Sequence, residues 1–296
     1  MAEAFDDEIM QAARAIMNLP VLSDLAQKQI VLPVTAGGFG LRSMKMITTS
    51  SWVASMAQAI QYMSTLVDHK SLSQTLSTEI DGALFTLAQV PGMHALPTDS
   101  SEFWQYFTVE PAGAGFQKTL SAAILSEARK SLLTLVEDIQ SEKARLIAVA
   151  AESAGAWLTM APTHHLLTMK DEHFNHAARL RLGIRPFDDT RTCQCGGQLA
   201  LEPCHFMSCA SLLKTMTLRH NKILFNIAQV AAMLHVPVKI EPRVDNKDAR
   251  RADGLFIMQE KTIAIDVSVT HPWAKSYTTM ALVPLGAASE RIKNAE

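Results

Sequence analysis

Outside one short window this chain has no cysteine: none in residues 1–192 and none after 209. That excludes a disulfide framework spread along the fold, of the kind that secreted domains rely on. No uninterrupted apolar stretch reaches the roughly 18 residues of a membrane span. The N-terminus, Met1 to Asp7, is acidic and lacks the apolar segment of a secretion signal. Aromatic residues make up only 6% of the 296. There is no internal repeat and no long Gly/Ser-rich or Pro-rich linker, so neither a repeat array nor domains on a flexible tether is expected. With 48% apolar and 19% charged residues, the chain has the composition of a globular protein, long enough for one large or two ordinary domains.

The charge of −2 is unevenly spread. Residues 1–180 hold 12 Lys and Arg against 18 Asp and Glu, whereas residues 181–296 hold 15 against 11. The basic C-terminal part is compatible with phosphate contact and equally with ordinary surface variation.

The first part reads as helical. Ile9, Ala12, Ala13 and Ile16 recur at helical spacing, as do Leu72, Leu76, Ile80, Leu84 and Leu87, and the segment from Phe116 to Ile139 follows suit. Pro91, Pro97, Pro111 and Pro162 interrupt these segments. Thr168 and Asp171 have the spacing of a capping box, opening a helix that ends near Gly183 and Pro186. Two motifs are set aside: Phe5-Asp6-Asp7 reads as a solvated helix start, and Ala36-Gly37-Gly38-Phe39-Gly40 lacks the spacing of a dinucleotide loop.

A change of character follows the polar joint Phe187–Thr190. Leu212 to Leu234 is an amphipathic helix with Ile223, Ile227, Val230 and Leu234 on one face. Val238 and Ile240 alternate with charges as in a short strand, Gly254 to Met258 is a second strand, and Thr262 to Thr270 is a third after a turn near Glu260. The expected fold class is α+β: an all-helical N-terminal region, then a cysteine-rich module and a small α+β core.

All four cysteines, Cys193, Cys195, Cys204 and Cys209, lie within 17 positions, with His205 among them. Thiols gathered beside an imidazole predict a tetrahedral zinc site. Cys193, Cys195 and Cys209 are three ligands, and His205 or Cys204 is the fourth. The His205-x3-Cys209 spacing favours His205.

In the third strand Ile263, Ile265, Val267 and Val269 share one face, and Asp266 sits among Ala264, Ser268 and Thr270 on the other. A turn near Glu260 brings Asp253 almost opposite Asp266. Two close carboxylates repel unless a divalent cation lies between them. The alternative is a pair of edge-strand aspartates that cap turns or meet Arg250, Arg251 or Lys261.

Taken in order, Cys193-x-Cys195-Gly196, His205-x3-Cys209, Arg219-His220-Asn221, Glu241-Pro242, Arg251-Ala252-Asp253 and Ile265-Asp266-Val267-Ser268-Val269-Thr270-His271-Pro272 resemble the C-terminal part of non-LTR retrotransposon polyproteins. Upstream, the run from Leu32 to Ser43, Ala156-Trp157-Leu158, and the run from Ala178 to Gly183 resemble the thumb and linker of the same proteins. The resemblance implies a helical thumb/linker over 1–186, a zinc knuckle over 187–212 and a PD-(D/E)XK-like endonuclease core over 213–296. It implies that Asp253 and Asp266, with Glu241 as a further acid, bind Mg²⁺, and that the domain nicks target DNA to prime reverse transcription. Arg219, His220, Arg250 and Arg251 are then nucleic-acid contacts. Ser268 stands where many such nucleases carry a lysine, and Lys293 is the displaced candidate, ahead of Arg291 and Lys275. DNA and the element's RNA are the implied partners, the nucleus the implied compartment, and no membrane is involved. No segment resembles the polymerase palm, and an inactive nucleic-acid-binding remnant of such an element is the alternative.

Overall fold

A computed structural model describes residues 1–66, 69–93, 96–110, 112–163, 168–185, 192–198, 205, 209, 211, 213–242, 252–258 and 261–267. The fold is mixed α+β and mostly helical, with one small antiparallel sheet. It divides into two compact units, whose described residues run from Met1 to Arg185 and from Thr192 to Val267.

The first unit is helical throughout. Its helices are α1 (Ala2–Ile16), α2 (Asp24–Ile30), α3 (Met44–Leu66), α4 (His69–Ala88), α5 (Ser100–Val109), α6 (Phe116–Thr134), α7 (Gln140–Val149), α8 (Ala156–Thr159) and α9 (Asp171–Arg181), with a 3₁₀ turn at Val34–Ala36. The largest core packs Val53, Ala57 and Ile60 of α3 against Ile80, Leu84 and Leu87 of α4 and against Phe103 and Phe107 of α5. Of the α4 stripe expected from sequence, Ile80, Leu84 and Leu87 are buried and Leu76 is half-buried, while the Leu72 side chain lies outside those described. Each fully buried Val, Ile, Leu or Phe contributes about 1.5–3 kcal/mol by leaving water.

Two expectations are corrected here. Of the expected α1 stripe Ala13 is buried and Ile9 half-buried, but Ile16 is 73% exposed, and Met17, one residue further on, is buried in its place. The backbone turns left-handed at Asn18 (φ 46°), and Met17 and Leu19 join the core on either side of it. At α9 the N-cap is Lys170, without a side-chain cap. The helix therefore starts at Asp171, and the Thr168–Asp171 capping box does not form. Its end near Gly183 is as expected.

Asp6 is not a solvated helix start. Its carboxylate accepts hydrogen bonds from the Ser43 hydroxyl at 2.5 Å and from the amides of Met44 at 2.7 Å and Lys45 at 3.3 Å. It thus caps the N-terminus of α3 from another helix. Burial opposes its ionisation, but the bonds from Ser43, Met44 and Lys45 outweigh that and hold its pKa below the usual aspartate range. Loss of such a cap costs about 1 kcal/mol. Asp6→Ala should lower stability by that amount near neutrality. Because the folded pKa is depressed, the contribution is present above the unfolded value of about 3.9 and disappears as pH falls through the folded pKa. Urea melts of both chains between pH 7 and pH 3 check this: the difference should close only in acid.

The second unit contains α10 (Leu213–Met233) and strands β1 (Val238–Ile240), β2 (Gly254–Ile257) and β3 (Thr262–Ile265), in the order β1-β2-β3, all antiparallel. Gly254 pairs with Ile265 and with Ile240. A side chain at Gly254 would meet Ile265 and Leu224, so α10 lies close over this point of the sheet. The buried stripe of α10 centres on Leu224 and Ala231, flanked by half-buried Ile223 and Ile227. Val230 and Leu234, expected on the inner face, are 42% and 69% exposed. Among the described residues the sheet is three short strands wide. Ile263, also expected in the core, is 43% exposed. The expected third strand is also shorter: β3 ends at Ile265, Asp266 and Val267 lie just beyond it, and 268–270 lie outside the described residues.

Candidate metal centre and acidic strand ends

Cys193, Cys195, His205 and Cys209 come together, with their ligand atoms all within 4.8 Å of one another. The two sulfurs of Cys193 and Cys209 are 3.7 Å apart, and Cys195 Sγ is 3.1 Å from His205 Nε2. None of the three described cysteines is in a disulfide.

Local backbone geometry builds this group. The Cys193 amide donates to Gly197 O and the Gly196 amide to Cys193 O, both at 2.8 Å, closing a tight turn. Gly196 occupies the left-handed region at φ 85°, where a side chain is disfavoured. A Cβ on Gly197 would lie 2.8 Å from the His205 ring, so only glycine lets the imidazole approach. The Gly197 amide donates to Cys195 Sγ at 3.4 Å, and Thr192 bridges to Gln198.

Two of the three described thiols are polarised as ligands need. The amide of Cys195, then the Ser211 hydroxyl, lower the Cys193 pKa to about 6. The Ser211 hydroxyl is the main cause that lowers Cys209. Cys195 moves up: the Gly197 amide favours its thiolate, but Cys209, burial and Cys193 prevail. Soft sulfur donors with one imidazole form a donor set suited to a tetrahedral ion, and this group can hold a metal. Cys204, the spare ligand of the sequence reading, lies outside the described residues.

The second site is at one end of the sheet. One register step beyond the Gly254–Ile265 pair, Asp253 faces Asp266. One step beyond Ile240–Gly254, Glu241 faces Asp253. The Glu241 amide donates to Asp253 O at 2.9 Å, with Glu241 itself left-handed at φ 49°. The backbone thus brings residues 241, 253 and 266 to neighbouring strand ends, although their carboxylates do not gather into a group close enough to hold a metal ion as the cysteines do. The two aspartates also hold each other's backbone: the Asp253 amide donates to Asp266 Oδ1 at 3.2 Å, and the Val267 amide to Asp253 Oδ2 at 2.5 Å.

His220, on α10, places Nε2 3.0 Å from Asp253 Oδ2 and Nδ1 3.1 Å from Asn221 Oδ1. Both ring nitrogens face acceptors, which favours the doubly protonated imidazolium. Asn221, then Asp253, raise its pKa. Expected as a nucleic-acid contact, His220 is engaged with an acid. Arg219 lies beside it, with its Nε buried and unpartnered among the described residues. Arg250, Arg251 and Lys293 lie outside the described residues, and so do Ser268, Lys275 and Arg291.

Sequence reasoning missed a polar nexus in the first unit. Arg145, Arg179, Arg181 and Gln29 are all buried. Arg181 donates to the carbonyls of Gly38 at 3.1 Å, Val34 at 2.8 Å and Ala154 at 3.3 Å, and its guanidinium lies over the Phe39 ring. Gln29 donates to Gly37 O at 2.9 Å and Arg181 O at 2.8 Å. Arg145 binds Gln29, Glu142 and Arg181 O. A Cβ on Gly38 would lie 2.1 Å from Leu32 O, so the glycine-rich segment is a close-packing loop. The nexus joins the segments around 34–39, Trp157 and 179–183, since Trp157 stacks edge-on against Phe39 and Phe174. The only available signal was their common membership in the resemblance. No helix among the described residues is long and apolar enough to cross a membrane. Comparison with protein-family models, with curated proteins and with solved structures finds no match to this chain.

Proposed function

We propose that this chain is the thumb/linker, zinc-knuckle and restriction-like endonuclease region of a non-LTR retrotransposon polyprotein, and that it nicks DNA in a metal-dependent reaction. The observation that carries the reading is the pairing of Asp253 with Asp266 at adjacent strand ends, beside Glu241. Asp253 Oδ1 and Asp266 Oδ2 keep no hydrogen-bond partner among the described residues. Each acid therefore keeps one oxygen for a cation while its other oxygen fixes the carboxylate to the backbone.

The Cys193, Cys195, His205 and Cys209 group would hold structural zinc. Mg²⁺ would be held by Asp253 and Asp266, with Glu241 at the neighbouring strand end. It would supply Lewis-acid stabilisation of the phosphoryl group and a more acidic water. The residues themselves fix the geometry. Asp253 is oriented by the Val267 amide and by His220, and Asp266 by the Asp253 amide. In the reaction a water oxygen bonds to phosphorus and the P–O3′ bond breaks. The leaving 3′-oxygen takes up a proton and becomes the hydroxyl that primes reverse transcription. DNA and element RNA are the partners and the nucleus the working compartment.

A second reading is a nucleic-acid-binding remnant that no longer cuts. It is favoured by the His220–Asp253 pair, in which the imidazole already occupies one carboxylate oxygen at 3.0 Å. Nicking of supercoiled DNA in Mg²⁺ or Mn²⁺ separates the two. The native chain should produce open circles, and Asp253→Asn and Asp266→Asn should each reduce the rate at least 100-fold while binding persists. Salt-sensitive binding without any nicking supports the remnant, and nicking unaffected by either change removes the aspartates from the mechanism.

A further inference from the structure

Ser211 lies two residues beyond Cys209, at the edge of the metal group, and its Oγ is 2.9 Å from Cys209 Sγ and 3.5 Å from Cys193 Sγ. Among the described residues it is the one hydroxyl within reach of these sulfurs. The third sulfur is served separately, by the Gly197 amide.

We infer that Ser211 is a positioning residue of the metal centre, its hydroxyl donating to the Cys209 thiolate and, on rotation about the Cβ–Oγ bond, to that of Cys193. The inference rests on the proposal that the group holds zinc. Three thiolates and one neutral imidazole around a divalent cation leave one net negative charge, concentrated on sulfur. A donated hydrogen bond takes up part of that charge without occupying a coordination position. The hydroxyl also spans the 3.7 Å gap between the two sulfurs from one side, limiting the directions in which they can part. Outer-layer donors of this kind are worth about 10–100-fold in metal affinity. Ser211 is exposed and belongs to no apolar core, so its replacement leaves the surrounding packing intact.

The test uses the full chain loaded with zinc, read by competition with a chromophoric chelator, and in parallel the cobalt-substituted chain, read by its thiolate-to-cobalt charge-transfer band. Ser211→Ala should weaken zinc about 10–100-fold, speed its release and shift the cobalt band. Ser211→Thr, which keeps the hydroxyl, should restore all three towards the native values. A Ser211→Ala chain that holds zinc within twofold of native, with an unshifted band, overturns the inference and leaves the zinc site standing. A native chain that takes up neither metal overturns the zinc proposal and the inference with it.

Discussion

Replacing Arg181 with alanine should destabilise the N-terminal unit by about 3–5 kcal/mol, lowering its melting temperature by roughly 6–20 °C. Two effects compete. Removing a buried guanidinium, only 4% exposed, relieves the cost of keeping a charge out of water. It also strips the Gly38 and Ala154 carbonyls of this donor and leaves the Val34 carbonyl only the Gly37 amide. A buried acceptor left unpaired costs about 1–3 kcal/mol, and the site collapses onto the vacated volume only in part. These losses exceed the relief, because the guanidinium is also packed over the Phe39 ring and its removal forfeits that contact. Arg181→Lys should recover little: one ammonium is a point donor and cannot serve three carbonyls on two segments. Denaturant unfolding followed by circular dichroism measures both. A change below about 1 kcal/mol for Arg181→Ala would show that the nexus is decoration.

Stripping the metal from the Cys193, Cys195, His205 and Cys209 group should release the short segment that carries it. Structural zinc in small modules is worth about 10–16 kcal/mol of apparent binding free energy, far more than this segment's apolar contacts supply. Cys193 and Cys209 are buried while Cys195 is exposed, so in the native chain only bound metal would shield Cys195 from an alkylating reagent. After chelation Cys193, Cys195 and Cys209 should all be modified within minutes, and a protease should begin to cut between 192 and 211. The helices of the first unit, which share no ligand with this group, should stay protected. Mass spectrometry of alkylated and protease-treated chains follows all of these. Equal alkylation rates before and after chelation would remove the metal from the picture.

How much was legible follows from what kind of signal each feature leaves. The stripe Ile80, Leu84, Leu87 and the opposition of Asp253 to Asp266 are periodic, and periodicity survives in a bare sequence. The cysteine group is likewise a matter of spacing. Ile16, Val230 and Leu234 went wrong because periodicity fixes a face, whereas burial depends on how far the partner extends along it. Arg145, Arg179, Arg181 and Gln29 left no trace, because hydrophobic patterning assigns such residues to solvent. Nor could it show that Asp6 caps a helix beginning at Met44: that bond crosses the fold, and capping rules look only along the chain. Ser211 was hidden for the same reason, as nothing in a sequence separates a serine near thiolates from any other surface serine.

The hydrogen bond between Gln29 and Arg181 spans 152 residues of chain, and this sets a timetable for a newly made molecule. A ribosome adding roughly 5–20 residues per second needs roughly 8–30 s to travel from one partner to the other. Until then the loop at Val34–Gly38 must wait without its donor, and Gln29 and Arg145 without the Arg181 carbonyl to which they donate. Helices α3 to α6 close their core meanwhile, from segments already synthesised. The bundle is therefore assembled first and locked last, so a pause in translation shortly before residue 181 would leave it folded but open at the Val34–Gly38 loop.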